Sequence, residues 1–503
     1  MNWKAILKIQ GFLLIIISIS MIFALIVSLY FQSGDANAII IGIVITFVVG
    51  VILTFLKSGN TLQPKEGFII VSLGWIFASA FGAIPFYLHG SMGTFIDCFF
   101  ETMSGFTTTG ATILTNIEAM PEGLLFWRSL THWLGGMGII LLTIALLPIL
   151  GLSSLQLFKA EVPGPTKDRI SPKIKDTAKI LWFIYSGMTV LETILLMLGG
   201  MNLYEALSHT FSTLATGGFS TLNSSIAGFN NLYIEIVIIF FMYLAGINFA
   251  LHFHLIRGNI KTFFKNKEWQ FYTLILIGGI IVITLNIHFA NYDADYLIKN
   301  PELKILTDSI FQSLRYATFQ VVSITTTTGF ATANFDLWPE FSRMLLIILM
   351  FIGGSAGSTG GGMKQIRIMV TLKHMKNEIK KLIYPNRIFS IKIGKEAVPD
   401  FVIKNILAFV FTFIIIFVGL TLFISFMGYD IITSFSTAIA TLGNIGPGLA
   451  RVGAIENYAF FDQITKLVLS FAMMLGRLEL YSVLILVYYI FSHRPQIRTF
   501  KKR

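Results

Sequence analysis

One short pattern recurs four times in this chain. It reads Ser104-Gly-Phe-Thr-Thr-Thr-Gly110, Ser212-Thr-Leu-Ala-Thr-Gly-Gly218, Ser323-Ile-Thr-Thr-Thr-Thr-Gly329 and Ala440-Thr-Leu-Gly-Asn-Ile-Gly446. The third copy is the most telling. Four consecutive threonines and a glycine make a poor spanning helix, yet hydrophobic segments flank them on both sides. A second small-residue point follows each copy, at Leu134-Gly-Gly136, Leu244-Ala-Gly246, Ile352-Gly-Gly354 and Leu475-Gly-Arg477. The spacing from the loop glycine to the first small residue is 25, 27, 24 and 30. A pattern that repeats in register is an internal repeat, and it constrains the architecture before any single element does.

The surroundings of the loops are those of a membrane protein. Of the 503 residues, 55% are hydrophobic and 13% charged, where a soluble domain carries about a quarter charged. Many apolar runs exceed the roughly 18 residues that mark a span. The first, Phe12 to Tyr30, is too long for a signal-peptide core, lacks a small-residue cleavage site and is expected to be retained. An all-α polytopic membrane protein follows. Its single Cys98 excludes an intramolecular disulfide and argues against a cysteine metal site.

The net charge of +11 is explained by topology and does not require nucleic acid. Segments 1–9, 56–66, 156–179, 257–268, 364–404 and 493–503 hold 29 of the 37 Lys and Arg, and the positive-inside rule places such segments in the cytoplasm. The intervening loops, such as Asn291-Tyr-Asp-Ala-Asp-Tyr296 and the one with Glu118 and Glu122, are acidic or neutral. Both termini are then cytoplasmic.

Residues 11–31 and 37–56 read as two helices joined at Ser33-Gly-Asp35, without a later counterpart. The expected organisation is a two-helix appendage, 1–62, and four pore repeats, 63–155, 156–265, 266–385 and 386–503. Each repeat runs outer helix, short segment, glycine loop, inner helix. The outer helices fall near 67–88, 177–199, 270–290 and 401–427, and the inner ones near 124–149, 231–256, 339–374 and 462–491. The short segments are 93–106, 203–214, 307–324 and 430–441. A 14-residue helix is about 21 Å long, less than a hydrocarbon core of about 30 Å. Such segments must turn back, and only then do all the basic loops share one side.

Non-helical backbone at membrane depth is tolerated where it lines a wet cavity or is buried in protein. Four such loops around one axis could replace the hydration shell of a cation with carbonyl oxygens. Glycine supplies backbone angles that other residues resist, threonine adds hydroxyls, and the short helices aim their negative ends below the loops. No loop contains a carboxylate, which suits a large monovalent cation.

With these loops in place, the chain resembles the Trk/Ktr/HKT superfamily of potassium transporters over nearly its whole length. The two extra N-terminal helices and Gly443-Asn-Ile-Gly-Pro447 look more like the TrkH/TrkG branch than KtrB. The resemblance implies one chain folded four times around a single pore. K⁺ would be held by Thr108, Thr109 and Gly110; Thr216, Gly217 and Gly218; Thr327, Thr328 and Gly329; and Asn444, Ile445 and Gly446. No loop carries the full Thr-Val-Gly-Tyr-Gly string of tetrameric potassium channels, which implies a shorter filter. The resemblance also implies a bacterial inner-membrane location, a homodimer with a pore in each protomer, and a TrkA-like cytoplasmic ring that binds nucleotides. The chain itself has no Gly-x-x-x-x-Gly-Lys-Ser/Thr string, and no cofactor is expected beyond K⁺ as the transported ion.

Two further features bear on gating. The stretch 353–362, with Gly353, Gly354, Gly357, Gly360, Gly361 and Gly362, is penalised as a helix by several kcal/mol at up to about 1 kcal/mol per glycine. It is expected to be a mobile loop that plugs the pore below the filter, although small residues can also serve close helix packing. Arg477 lies at the matching point of the fourth repeat, followed by Glu479. Either Arg477 pairs with Glu479 or an outer carboxylate, or it faces the pore and opposes a passing cation by roughly 3 kcal/mol at ~5 Å and an effective dielectric of ~20. The resemblance implies the second.

Glu192 reads as a buried, partnered carboxylate, and His252 and His254 as interfacial, on different faces of a helix. Lys364 and Arg367 read as snorkelling, or as contacts to anionic lipid or a partner. Three rivals stay open: a Na⁺-coupled KtrB-type transporter, a secondary transporter with broken helices, and an intramembrane enzyme, for which no acid, base or metal cluster is visible.

Overall fold

The computed structural model describes residues 2–57, 64–138, 174–290, 292, 300–394 and 396–492. Most of the basic segments 156–179 and 493–503, the far half of the first inner helix, and the acidic run 291–296 apart from Tyr292 lie outside the described residues.

Helices α1 (Trp3–Phe31) and α2 (Ala36–Thr54) form the leading hairpin. The first repeat follows as α3 (Pro64–Gly82), α4 (Ile84–His89), α5 (Phe95–Phe106) and α6 (Glu122–Gly136). The second is α7 (Ile174–Leu198), α8 (Leu203–Leu214), α9 (Leu232–Ala245) and α10 (Phe249–Ile256), linked by α11 (Ile260–Lys265) to the third. There α12 (Lys267–His288), α13 (Pro301–Asp308), α14 (Ile310–Thr325), α15 (Glu340–Met350) and α16 (Gln365–Ile383) follow. A two-residue antiparallel pair, β1 (Lys392–Ile393) and β2 (Glu396–Ala397), precedes α17 (Asp400–Phe426), α18 (Ile431–Leu442), α19 (Gln463–Arg477) and α20 (Tyr481–Ser492).

Six helices among the described residues are long and apolar enough to cross a bilayer, and the bent pair α9 and α10 counts as a seventh if it is taken as one span. The chain is a multi-pass, mostly helical membrane protein. Its outer helices are apolar on all sides but bury one stripe. In α17 that stripe is Ile406, Phe409, Phe413, Phe417, Leu420 and Ile424, the spacing of a single helix face. The opposite face, with Phe411, Leu422 and Phe426, is exposed and suits lipid.

The short segments are helices of 12, 12, 16 and 12 residues: α5, α8, α14 and α18. At 1.5 Å per residue even the longest reaches only about 24 Å. Each starts at a side-chain cap, Thr94, Asn202, Ser309 and Asp430, that accepts a backbone N–H of the first turn. In α5 and α8 the cap is reciprocated by Asp97 and Glu205.

The inner helices differ from the sequence expectation of unbroken rods over 231–256 and 462–491. The second bends by 102° between α9 and α10. The fourth breaks after Arg477, where Glu479 and Leu480 adopt left-handed backbone. The third breaks across 351–364, as its glycines require. Small residues at each break admit a neighbouring backbone. A Cβ on Gly135 would sit 1.8 Å from the Phe106 carbonyl oxygen, and one on Gly476 2.1 Å from that of Leu442. The inner helices thus press against the ends of the short helices.

The leading hairpin is docked onto the first repeat. Asp35 accepts from the Leu124 backbone N–H at 2.7 Å, from Ser33 at 2.6 Å, and from Ser28, so the turn that joins α1 to α2 also caps the start of α6.

Candidate functional site: four loops closing a ring

All four short helices end in the same way. The backbone N–H of Thr109, Gly217, Thr328 and Ile445 donates to the carbonyl of Ser104, Ser212, Ser323 and Ala440. One residue earlier, Thr108, Thr216, Thr327 and Asn444 donate to Gly105, Thr213, Ile324 and Thr441. This pair of bonds is a Schellman motif, which needs a left-handed residue at the turn. That residue is Thr108 (φ 53°), Thr216 (55°), Thr327 (61°) and Asn444 (54°). Two residues on, Gly110, Gly218, Gly329 and Gly446 are left-handed again, at 78°, 80°, 81° and 93°, and the residue between is not. Alternating backbone of this kind turns successive carbonyls toward one side.

The four glycines carry the unusual backbone angles expected of them, but they do not carry them alone. Half of the left-handed positions are threonine or asparagine, and for a β-branched residue that conformation is strained. The glycines serve a further need. A Cβ on Gly110 would lie 2.1 Å from the Gly217 carbonyl oxygen, and one on Gly218 2.1 Å from that of Thr328. On Gly329 it would lie 2.0 Å from that of Ile445, and on Gly446 2.6 Å from that of Thr109. Loop one therefore touches loop two, two touches three, three touches four, and four returns to one. The four glycines line a cavity of about 110 Å³, with Arg128, Asn223, Glu456 and Tyr458 also on its wall.

The ring is braced from behind. Arg128 pairs with Glu101 at 2.6 Å, both fully buried. Arg128 also donates to the Ser220 carbonyl and stacks on Phe219, while Glu101 accepts from the Ile113 backbone N–H. Lys466 pairs with Asp97 at 2.7 Å, joining the fourth repeat to the first, and Arg315 pairs bidentately with Glu235, joining the third to the second. The sequence reading passed over these pairs. Intramembrane charges are costly enough to be signals in themselves, and Glu101 and Arg128 were legible on that ground.

Threonine hydroxyls are largely committed to the scaffold. Thr107 and Thr109 share a bond at 2.8 Å, as do Thr326 and Thr328. Thr109 also accepts from Asn444, which donates again to the Met473 carbonyl. In the fourth loop, the Gly446 carbonyl accepts from the Tyr458 hydroxyl at 2.6 Å, which distinguishes that quadrant.

The glycine-rich stretch lies directly against these loops. The Gly361 backbone N–H donates to the Thr327 hydroxyl at 2.7 Å, and Cβ atoms on Gly360 and Gly361 would meet the Thr326 carbonyl and Asn444. It is not a loosely held loop in this structure. Ser355 and Thr359 donate to the Gly246 and Ala245 carbonyls, Gly353 to Met363, and Gln365 to Gly354. Gly357 (φ 74°) and Gly362 (φ 64°) take left-handed backbone.

Arg477 reaches into the same region. Its guanidinium donates to the Thr359 carbonyl at 2.6 Å and to the Gly135 and Gly136 carbonyls at 2.7 and 2.9 Å. Glu479, which sequence offered as its partner, pairs with Arg367. Arg367 also stacks on Phe409, and Lys364 donates to the Gly360 carbonyl. Both cations therefore turn inward, unlike the snorkelling, or the lipid or partner contact, expected of them. His252 is buried rather than interfacial and bonds the Leu244 carbonyl, while His254 is half-buried beside Phe253. Glu192 is fully buried beside Thr213 of α8, but neither carboxylate oxygen is within hydrogen-bond geometry of a partner among the described residues, unlike the partnered carboxylate expected.

The sequence matches the TrkH family, described as a cation transport protein, over residues 35–495. The chain belongs to that family. It is 38% identical to the Trk system potassium uptake protein TrkH of Salmonella typhimurium, over 97% of this chain and 98% of that protein. It is 35% identical to TrkG of Escherichia coli, over 95% and 96%. Its fold matches the crystal structure of the potassium transporter TrkH from Vibrio parahaemolyticus with a TM-score of 0.84 at 33% identity, covering 97% and 99%. Membership of a cation transport family, with relatives named as potassium uptake proteins, sets an enzymatic reading aside. Among the described residues no group of three or more His, Cys, Asp or Glu is placed to hold a metal ion.

Proposed function

We propose that this chain takes up potassium through a gated pore whose selectivity filter is the ring built on Thr108–Gly110, Thr216–Gly218, Thr327–Gly329 and Asn444–Gly446. The observation that carries this reading is the closed sequence of contacts, in which each filter glycine packs on the next loop's carbonyl. That arrangement gathers neutral backbone oxygens at one axis, the chemistry that replaces the water shell of a monovalent cation. Arg477 and the stretch Gly353–Gly362 form the gate. The arginine ties the glycine stretch to the end of α6 while placing a positive charge below the filter.

Both termini are cytoplasmic, a reading that rests on the distribution of Lys and Arg, and the bacterial inner-membrane location rests on family likeness. Pairing as a homodimer and control by a TrkA-like nucleotide-binding ring belong to the same proposal and rest on family likeness.

The test is K⁺ and Rb⁺ flux into proteoliposomes, with and without Na⁺. Gly329→Ser combines a left-handed φ with a Cβ clash on the Ile445 carbonyl and is expected to abolish flux or its K⁺/Na⁺ selectivity. Arg477→Ala is expected to raise flux. A folded Gly329→Ser protein with unchanged flux and selectivity contradicts the filter, and unchanged flux in Arg477→Ala contradicts the gate.

A further inference from the structure

The apex of the glycine-rich stretch is gripped from one continuous piece of chain, the elbow between the second and third repeats. At the elbow's start, the Ala245 and Gly246 carbonyls accept from Thr359 and Ser355, and the Phe249 N–H donates to the Gly357 carbonyl. At its end, in the first turn of α12, Glu268 is buried, with 4% of its surface exposed. One carboxylate oxygen of Glu268 accepts from the backbone N–H of Ala356 at 2.8 Å and of Ile366 at 3.1 Å. The first donor lies in the glycine-rich stretch. The second opens α16, the helix that follows it.

We propose that Glu268 is a positioning residue for the gate: its carboxylate clamps the apex of the glycine-rich stretch to the first turn of α16, so that the stretch leaves the axis only when the Glu268–Ala356 bond opens. This deepens the gate reading above and rests on it. A bond from a carboxylate to a buried N–H is among the stronger single hydrogen bonds in a protein. It matters for a segment rich in glycine, which loses more conformational freedom on ordering than any other sequence. Glu268 also follows directly on the basic α11 region, Arg257 to Lys267. Displacement of that cytoplasmic elbow therefore pulls on both ends of the grip at once.

The experiment compares Glu268→Ala, Glu268→Gln and Arg477→Ala in full-length protein reconstituted in liposomes. Glu268→Ala is expected to raise basal Rb⁺ flux by about tenfold, the population shift expected when a charge-assisted hydrogen bond is lost from one of two states. Its K⁺/Na⁺ selectivity stays unchanged because the filter is untouched. Glu268→Gln, which keeps an acceptor oxygen but not its charge, is expected to fall between wild type and Glu268→Ala. A second readout follows the stretch itself. With Cys98, the one cysteine, replaced by serine, a Ser358→Cys reporter is expected to react faster with a permeant thiol reagent in Glu268→Ala. A folded Glu268→Ala protein with wild-type flux and labelling overturns the inference, as does higher flux accompanied by loss of selectivity. If Arg477→Ala leaves flux unchanged, the gate reading has failed, and the Ser358→Cys rate still decides whether Glu268 holds the stretch.

Discussion

At the scale of single residues, the ring places two kinds of left-handed position two residues apart, and they tolerate change in opposite ways. Thr216 is left-handed at the end of α8, where glycine is the usual occupant. Thr216→Gly should therefore fold at least as stably as the parent, by up to ~1 kcal/mol. Gly218 is left-handed and sits against the Thr328 carbonyl, so Gly218→Ala should lose both stability and flux. Thermal unfolding in detergent together with Rb⁺ flux separates the two; a destabilised Thr216→Gly protein would contradict the strain argument. The glycines were legible in the sequence because they are the only residues that combine these angles with so close an approach. The left-handed threonines were not. Their conformation runs against local preference and is imposed by the surrounding packing, and only Asn444 carried a hint of it. Glu268 was invisible for a related reason: its partners are backbone N–H groups 88 and 98 residues away.

At the scale of elements, the short helices were read from length and charge alone, and their bounds fell close to those observed, Gly93 to Phe106 against Phe95–Phe106 in the first repeat. Breaks in the inner helices were harder, since each has a glycine but only the third has a run of them. The second turns through 102° at Gly246-Ile-Asn248, where backbone bonds to the glycine-rich stretch supply the cause. The caps make a separate prediction. Asp430 accepts from Thr433 at the start of α18, and that bond holds its carboxyl below the usual carboxylate range. A depressed value means the contribution is present above the ordinary carboxylate pKa and is lost as pH falls through the folded value. Asp430→Ala should cost about 1 kcal/mol near neutral pH. Asp430→Asn should cost little there and show a flatter acid limb below about pH 4. Thermal unfolding across pH 3–7 checks both, and identical acid limbs for the parent and Asp430→Asn would refute the linkage.

At the scale of the whole molecule, buried ion pairs fasten one repeat to the next. Asp97 and Lys466 bridge the ends of the chain's fourfold circuit at 2.7 Å. Asp97→Asn strands a buried ammonium and should destabilise by about 3 kcal/mol, with part of the loss recovered by adding Lys466→Met. A double-mutant cycle on unfolding temperature measures that coupling; additive effects would show that the pair is not a fastener. Fourfold organisation was readable because the loops repeat in register, whereas the ion pairs between repeats do not sit at matching positions. Those differences matter for how the frame can move. A homotetramer with one loop sequence must alter all four sides together. Here a single polypeptide lays down four dissimilar sides, and only one of them, the third, carries a decade of residues with six glycines beneath it. With the glycine-rich stretch as the proposed gate, opening such a frame would be a one-sided event, like a door hung on a single jamb. Changes at that jamb should act on conductance without retuning which ion the other three sides prefer.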